Sequence, residues 1–330
     1  MQRSLRLAAV ATLVLATAAF VRPAVAAETL KIGWTTSDSP NDPYAIGAHA
    51  FAEALEEAAP GRFDIRFFPS RQLGDEKEML EGLKFGVLDM AIITNAVIAN
   101  VEPAFMVNDL PFLYADEDQA HHVLDGPVGQ GLLARLEGDK IVGLGFMEGG
   151  FRHMINNVRP VSQPADVAGV KFRVMQNPVF ISMFSALGGN AVPMAWGEVF
   201  TAVQQGTIDG LEIPVPVIAA AKYDEVTHYL SLTRHTYSAI ALLMAQRTFK
   251  KLSDDDEAAI RTAASKAVDL QRSRVAAVQQ ALVSELESRG MAVNVVENTK
   301  PFRQAVTPVY DEFRDRIGAE TMDAVLEATQ

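Results

Sequence analysis

The sequence predicts an α/β protein of two lobes, each an open, mostly parallel sheet flanked by helices, with one long helix running behind both lobes. Strand-like and helix-like segments alternate at short intervals from Leu30 onward, which is typical of parallel sheets. A unit of helix, glycine and strand occurs twice, at 78–94 and at 198–214. A helical run at 253–289 would be on the order of 55 Å long, more than the width of one small lobe.

The first 26 residues have the pattern of a secretory signal peptide. Residues 1–6 carry two arginines and no acid, 7–21 are almost wholly apolar, and Ala24-Val25-Ala26 is a small-x-small cleavage motif. The apolar run is short for a membrane span and ends in that motif, which favours a cleaved leader over a transmembrane helix. We therefore expect export, to a bacterial periplasm, and no membrane insertion after cleavage.

Composition restricts the class of function. The remaining 304 of 330 residues suffice for two core-bearing lobes, and 49% apolar and 21% charged residues are ordinary globular values. The formal net charge of −12 speaks against nucleic acid and anionic membrane surfaces as partners. The chain has no cysteine, which excludes disulfides, thiolate chemistry and cysteine-based metal sites.

The first lobe is predicted to comprise 27–149 and 239–278, and the second 150–238 and 279–330. In the first, Asn41-Asp42-Pro43 is a helix start and Gly86 a helix end. The expected elements there are strands at 30–34, 63–68 and 87–94 and helices at 43–55 and 75–85.

The second lobe repeats this order. A strand at 141–146 leads to the crossing between lobes, near Arg152. The tail at 293–330 should form one short strand and two amphipathic helices. The other expected elements are strands at 170–175 and 207–214 and a helix at 193–205. Few positions are identical between the two repeated units, so the alignment supports a common structure more strongly than a gene duplication.

A crevice between two such lobes is the expected ligand site, because ligands of open α/β sheets bind outside the carboxyl ends of the strands. In the first lobe this places Trp34, Thr35, Thr36, Thr94 and Asn95 at the mouth of the crevice. In the second lobe it places Arg173, Gln176, Trp196 and Ile213 there.

Motifs for catalysis or for bound cofactors do not occur. The six histidines show no metal-ligand spacing, and the chain lacks the G-x-S-x-G, P-loop and G-x-G-x-x-G patterns. The acidic pairs lie at expected helix starts or solvated faces. We therefore expect neither an enzyme nor a bound metal or cofactor.

Three residues have two interpretations each. Arg173 lies in an apolar strand, where it binds either an anionic ligand or a buried acid such as Glu212. Arg152 is either a second ligand-binding arginine or an exposed arginine at the hinge. Trp196, at a helix start, either faces the cleft or packs in the core. Guanidinium groups hold carboxylates bidentately, which favours an organic acid as the ligand.

The chain resembles the solute-binding proteins of tripartite ATP-independent periplasmic (TRAP) transporters, DctP type, over essentially its whole mature length. The motifs that carry the resemblance are "FPSRQLGDEKEMLEGLKFGVLDMA", "RPVSQPADVAGVKFRVM", "PMAWGEVFTAVQQGTIDGLEIP" and "YDEVTHYLSLTRH". The resemblance implies a two-lobed, closing receptor that delivers an organic acid to small and large membrane permease subunits, for sodium-coupled uptake. It also implies that Arg173 clamps the ligand carboxylate, that Arg152 is a second arginine, and that Trp196 lines the pocket.

Further site residues are implied by the same resemblance. These are Trp34, Thr35 and Thr36 in the loop after the first strand, Thr94 and Asn95 after the third, and Gln176 beside the arginine strand. Glu76 stands where some members place an acid against polar ligand groups, although it is equally a helix cap. Many members read "DGQENP" where this chain has "DGLEIP", so Ile213 replaces an asparagine that helps hold the carboxylate. A ligand with an apolar portion beside its carboxylate is therefore expected.

Two other functions share this fold. A ligand-presenting subunit for a periplasmic sensor kinase would have the same pocket but another partner, and neighbouring permease genes would favour transport instead. A periplasmic enzyme acting on an organic acid would need a base or nucleophile in the cleft, and turnover of candidate acids would reveal it.

Overall fold

The computed structural model describes residues 27–330, so the predicted signal peptide at 1–26 lies outside the described residues. The strands of the described part are β1 (Glu28–Gly33), β2 (Phe63–Phe68), β3 (Met90–Thr94), β4 (Ile141–Asn156), β5 (Lys171–Val174), β6 (Asn190–Pro193), β7 (Gly210–Pro214), β8 (Tyr229–Ala245) and β9 (Ala292–Val295).

Helices follow or flank most of these strands. The α-helices within 27–330 are α1 (Pro43–Ala58), α2 (Glu76–Phe85), α3 (Asn95–Ile98), α4 (Glu117–Asp125), α5 (Pro127–Arg135), α6 (Pro178–Ala186), α7 (Trp196–Gln204), α8 (Val215–Ala220), α9 (Gln246–Phe249), α10 (Asp254–Ser288), α11 (Lys300–Ile317) and α12 (Ala319–Ala328). Short 3-10 helices lie at Pro103–Asp109, Leu136–Asp139, Pro164–Asp166 and Tyr223–Glu225.

The strands form a sheet in the order β2-β1-β3-β8-β4-β7-β5-β6, and β9 pairs with β8. Pairs within each half are parallel, whereas β3–β8, β8–β4 and β4–β7 are antiparallel. This order is symmetric about the central pair β8–β4, so the molecule has two halves of the same topology. The predicted two-lobed α/β fold is confirmed.

The two central strands are longer than the sequence indicates. The predicted strand at 141–146 continues to Asn156, and β8 spans 17 residues across both halves. The register of β4 against β8 shifts between Glu148 and Gly150, where Gly150 has a φ of +97°. Glycine tolerates that conformation without strain. Gly149 and Gly150 therefore form an irregularity inside a strand.

The repeated unit has the same local structure in both halves. The order is β1-α1-β2-α2-β3 in the first half and β5-α6-β6-α7-β7 in the second. The aligned aspartates make the same bond, since Asp89 Oδ2 accepts from Lys31 N at 3.1 Å and Asp209 Oδ2 from Lys171 N at 2.8 Å. These bonds fix the loop before β3 and before β7 against the neighbouring strand.

Helix α10 runs behind both halves, as predicted. Its 35 residues correspond to about 53 Å. On the side of the first half, Gln271 Nε2 donates to Pro43 O of α1 at 3.1 Å. On the side of the second half, Leu282 and Leu286 are buried in one cluster with Ile218 of α8. The helix therefore connects the two lobes structurally.

None of the helices in the described range 27–330 has the length and apolar character needed to span a bilayer.

Candidate ligand-binding site

A cavity of about 30 Å³ lies between the two halves, at the carboxyl ends of β1, β3, β5 and β7. It is lined by eight of the eleven predicted site residues: Thr35, Thr36, Glu76, Thr94, Arg152, Arg173, Trp196 and Ile213. An adjoining pocket of about 110 Å³ shares Arg173, Glu76 and Trp196. The cavity and the adjoining pocket together form the space between the two halves, and the walls of the cavity stand close together.

Arg173 is a buried cation without a carboxylate partner in the part of the chain that the structure describes. Its side chain is in β5 and only 2% of the residue is exposed. Nε and Nη2 donate to Met194 O at 3.0 and 2.8 Å, and Nη1 lies 3.4 Å from Met175 Sδ. Burial lowers its pKa, because the charged form is poorly solvated here. An anion in the cavity would relieve that cost.

Arg152, by contrast, is already neutralised. Its guanidinium binds both carboxylate oxygens of Glu212 in β7 and also donates to Glu212 O at 2.6 Å. Nη1 reaches Ser238 Oγ at 3.3 Å. Both partners are buried, so the hypothesis of an exposed hinge arginine is wrong. The acid suggested as a partner for Arg173 is the partner of Arg152.

Glu212 also lies near a buried histidine. Burial alone would raise its pKa, but Arg152, with His235, holds the pKa of this carboxyl below its usual range. His235 Nε2 lies 3.5 Å from Glu212 Oε2, and its Nδ1 lies 2.7 Å from Thr233 Oγ1. Burial lowers the pKa of His235. The Arg152–Glu212 pair is thus a neutral wall of the cavity.

Glu76 supplies a carboxylate at the first residue of α2. Its Oε1 accepts from Thr94 N at 2.8 Å and from Thr94 Oγ1 at 2.7 Å, and Tyr44 OH lies 2.6 Å from the same hydroxyl. Burial raises the pKa of Glu76. Both of these bonds use Oε1, so Oε2 is available to accept a hydrogen bond from a ligand hydroxyl.

Thr36 is oriented by the loop after β1. Its Oγ1 donates to Asp42 Oδ1 at 2.7 Å. The same oxygen of Asp42 caps α1 by accepting from Tyr44 N at 2.9 Å. The cap therefore places Thr36 and Tyr44 side by side at the cavity.

Three predicted site residues do not line this cavity. Trp34 is fully buried in one apolar cluster with Leu30 and Ile32, because the period of a strand turns all three to the same face. Asn95 is buried, where Nδ2 donates to Phe105 O at 2.9 Å. Gln176 lines the adjoining pocket instead.

Sequence reasoning missed several lining residues, namely Tyr44, Gly149, Met175, Pro214, Val217 and Ser238. For two of these residues, the sequence contains evidence that they lie at the site. Met175 alternates with Arg173 on one strand face, and Tyr44 begins the helix that follows the threonine loop. For Ser238 the sequence contains no such evidence, because β8 brings this residue to the cavity through long-range pairing with β4.

A larger groove of about 560 Å³ lies elsewhere, beside β8 and α10, and includes His153 and Arg234. Neighbouring residues of a strand point to opposite faces, so His153 faces away from Arg152 and from the cavity. Nowhere within 27–330 do three His, Cys, Asp or Glu side chains converge as a metal site would require.

The arrangement can bind one anionic group. Arg173 is the unpaired cation of the lining, the charge of Arg152 is balanced by Glu212, and Glu76 places a carboxyl group beside Thr94. Trp196 and Ile213 supply apolar walls. Such a site suits a solute with one carboxylate and polar groups at some distance from it.

The chain is similar to known bacterial solute-binding proteins. Residues 35–316 match the family model described as bacterial extracellular solute-binding protein, family 7. The 2,3-diketo-L-gulonate-binding periplasmic protein YiaO of Escherichia coli K12 is 35% identical over 313 residues, which cover 94% of this chain and 95% of that protein.

Two solved structures are also similar. A TRAP periplasmic solute-binding protein from Polaromonas sp. JS666, bound to D-erythronate, has a TM-score of 0.87 and 38% identity, covering 91% of this chain and 98% of that one. The sugar acid binding protein DctPAm from Advenella mimigardefordensis, in complex with galactonate, has a TM-score of 0.89 and 32% identity, covering 92% and 98%. The chain therefore belongs to bacterial extracellular solute-binding protein family 7, the DctP-type solute-binding proteins of TRAP transporters.

Proposed function

We propose that this protein is the periplasmic receptor of a TRAP transporter and that it binds one small hydroxy monocarboxylate in the interlobe cavity. The observation that carries the proposal is Arg173, a buried guanidinium that lines a cavity and has no carboxylate partner within 27–330. A ligand carboxylate would supply that partner.

The charge balance of the lining favours one carboxylate over two. A second carboxylate would meet Glu76 rather than a free cation, whereas a hydroxyl would find Glu76 Oε2 as an acceptor. The two similar structures hold D-erythronate and galactonate, both of which are hydroxy monocarboxylates, in agreement with this class.

Binding would be accompanied by closure of two lobes, proposed to comprise 27–149 with 239–278 and 150–238 with 279–330. The register shift at Glu148 and Gly150 of β4 supports a bend at that boundary. The liganded form would be stabilised by its higher affinity for the solute.

The receptor would deliver its solute to small and large permease subunits for sodium-coupled uptake, without catalysing a reaction. Membership of the family supports this role. Uptake into vesicles that carry the permease should require both the receptor and a sodium gradient. Uptake that is unchanged without the receptor would contradict the role.

Calorimetry with a defined panel tests the ligand class. D-erythronate, D-galactonate and 2,3-diketo-L-gulonate represent the hydroxy monocarboxylates, succinate the dicarboxylates, and erythritol the uncharged polyols. We expect at least one monocarboxylate to bind more tightly than succinate and erythritol to give no heat. Succinate binding more tightly than every hydroxy acid would overturn the charge argument.

The clamp itself is tested by Arg173→Ala. We expect the binding free energy to weaken by about 2–5 kcal/mol, because the ligand carboxylate would be left buried and unpaired. This corresponds to a ~30-fold to several thousand-fold loss of affinity. Arg173→Lys should lose less, since it retains the charge but not the bidentate fork. The matched control is Arg159→Ala, an exposed arginine whose Nη1 also donates to backbone carbonyls, at 3.1 and 3.3 Å. Unchanged affinity in Arg173→Ala would exclude the clamp.

A further inference from the structure

Two helices from opposite halves meet end to end beside the cavity. The first residue of α2 is Glu76, and the first residue of α7 is Trp196, and both line the cavity. Helix α2 has a side-chain cap, because Asp75 Oδ1 accepts from Glu76 N at 3.2 Å. Helix α7 has none of its own, because its N-cap residue is Ala195.

The missing cap of α7 is supplied by the other half of the molecule. The second carboxylate oxygen of Asp75, Oδ2, accepts from Gly197 N at 3.1 Å. One carboxylate therefore accepts from the N-termini of two facing helices, whose positive dipole ends it also stabilises. This bond joins residues that are 122 positions apart in sequence.

Arg71 lies beside both Asp75 and Gly197 and takes part in the contact between the two halves. Its Nη1 lies 3.9 Å from Asp75 Oδ2. A Cβ atom at Gly197 would lie 1.8 Å from the same Nη1, so the guanidinium packs directly on the α7 backbone. Glycine at 197 thus allows the first half to approach the helix end closely.

We propose that Asp75 is a positioning residue that latches the two lobes in the closed form by capping α2 and α7 together. In an open form Gly197 N would lose this acceptor, since Asp75 and Gly197 belong to different lobes. The bond therefore stabilises the closed form and holds Glu76 and Trp196 against the ligand. The proposal rests on the proposed function for its link to ligand affinity.

Loss of a latch differs from loss of a direct ligand contact in its effect on binding. It lowers the population of the binding-competent form, so it reduces the affinity for every ligand by the same factor. We expect Asp75→Ala to weaken D-erythronate and D-galactonate binding equally, by ~5-fold, the size that loss of one helix cap implies. The dissociation rate should rise with it.

Two further variants separate the latch from general stability. Asp116→Ala removes a comparable cap, the bond from Gln119 N at 2.8 Å in α4, without any contact across the cleft. It should leave affinity unchanged. Ala195→Ser gives α7 a cap of its own, because the N-cap residue there already has extended φ and ψ of −63° and 151°. In that background Asp75→Ala should have little effect on affinity.

Small-angle scattering of the unliganded protein tests the latch independently of any ligand. Asp75→Ala should increase the radius of gyration relative to Asp116→Ala.

Equal radii together with unchanged affinity, or different factors for the two acids, would overturn the latch. Loss of binding in Arg173→Ala beside unchanged binding in Asp75→Ala would leave the proposed function standing without it. If no acid binds the wild type, the proposed function fails and the scattering comparison alone decides the latch.

Discussion

Two arginines in this site have different partners, although both are buried. Arg152 is held by Glu212 on three atoms, and this pair leaves no net charge in the wall. Arg173 has only backbone and sulfur partners within 27–330. The first contributes to the folded structure, whereas the second is available for a ligand.

This difference predicts that the two arginines contribute unequally to the stability of the unliganded protein. Arg152→Ala should lower the free energy of unfolding of the unliganded protein by about 3–5 kcal/mol, because it leaves Glu212 buried without its partner. Arg173→Ala should cost less, since no carboxylate is stranded. Urea unfolding of both variants without ligand measures this.

The double variant Arg152→Met, Glu212→Gln provides the control, because no charge of the pair then remains buried, and it should recover part of the loss. Equal destabilisation by Arg152→Ala and Arg173→Ala would show that Arg173 is also a structural residue.

Among the helices and strands, the sequence predicted those whose ends are marked by neighbouring residues, such as a helix cap. Asp42, Asp75 and Ser253 cap helices α1, α2 and α10 with their side chains, so these starts were identified. The length of β4 was not predicted, because Gly149 and Gly150 interrupt the apolar alternation that marks a strand. Pairing with the distant strand β8 extends β4 through that interruption.

The partner of Glu212 was missed for a related reason. Glu212 lies in β7, which has β5 on one side and β4 on the other. The sequence suggested Arg173 of β5 as the partner of Glu212, because it does not show the order of the strands. The pairing follows from the register of β4 with β7, in which Arg152 lies opposite Pro214.

The repeated unit gives a matched pair of glycines at which to test the helix ends. Gly86 and Gly206 follow α2 and α7 with φ of +67° and +68°. An alanine at 206 would meet nothing within 4 Å, whereas a Cβ at 86 would lie 2.6 Å from Arg247 Cδ and 2.8 Å from Arg247 Cβ.

We therefore expect Gly206→Ala to cost about 1–2 kcal/mol, the strain of the left-handed conformation alone. Gly86→Ala should cost a further ~1–3 kcal/mol, because the Arg247 side chain must move. Thermal and urea unfolding of the two variants give the comparison. A larger loss for Gly206→Ala would contradict the packing around Gly86.

For the whole molecule, the two halves are joined by buried polar contacts as well as by shared strands. Asn177, the N-cap of α6 in the second half, donates to Ala96 O and to Asp109 Oδ2 in the first, each at 2.9 Å. Asp109 is 3% exposed, and burial raises its pKa to about 8. Folding therefore keeps a proton on this acid at neutral pH.

That proton makes global stability depend on pH with a defined sign. In the unfolded chain Asp109 ionises near pH 3.8, while in the folded protein it ionises near pH 8. Between these values the folded state binds the additional proton, so the contribution of Asp109 is fully present below about pH 3.8 and is lost as the pH rises towards 8. His153, whose pKa burial lowers to about 3, acts in the opposite direction, but only below about pH 6.5.

The window from pH 6.5 to 8 lies above the range in which His153 acts. Burial raises the pKa of Asp42 to about 7, so Asp42 also acts in this window, and only a variant of Asp109 isolates its contribution. Asp109→Asn retains an acceptor for Asn177 but cannot ionise, so its free energy of unfolding relative to the wild type should increase with pH, by up to ~1.4 kcal/mol per unit. Urea unfolding at pH 6.5, 7.25 and 8 measures the difference, and Asp311→Asn on the exposed face of α11 controls for the loss of one negative charge. A difference that stays constant with pH would show that Asp109 is already ionised in the folded protein, because only a group that changes its proton binding on folding produces a slope.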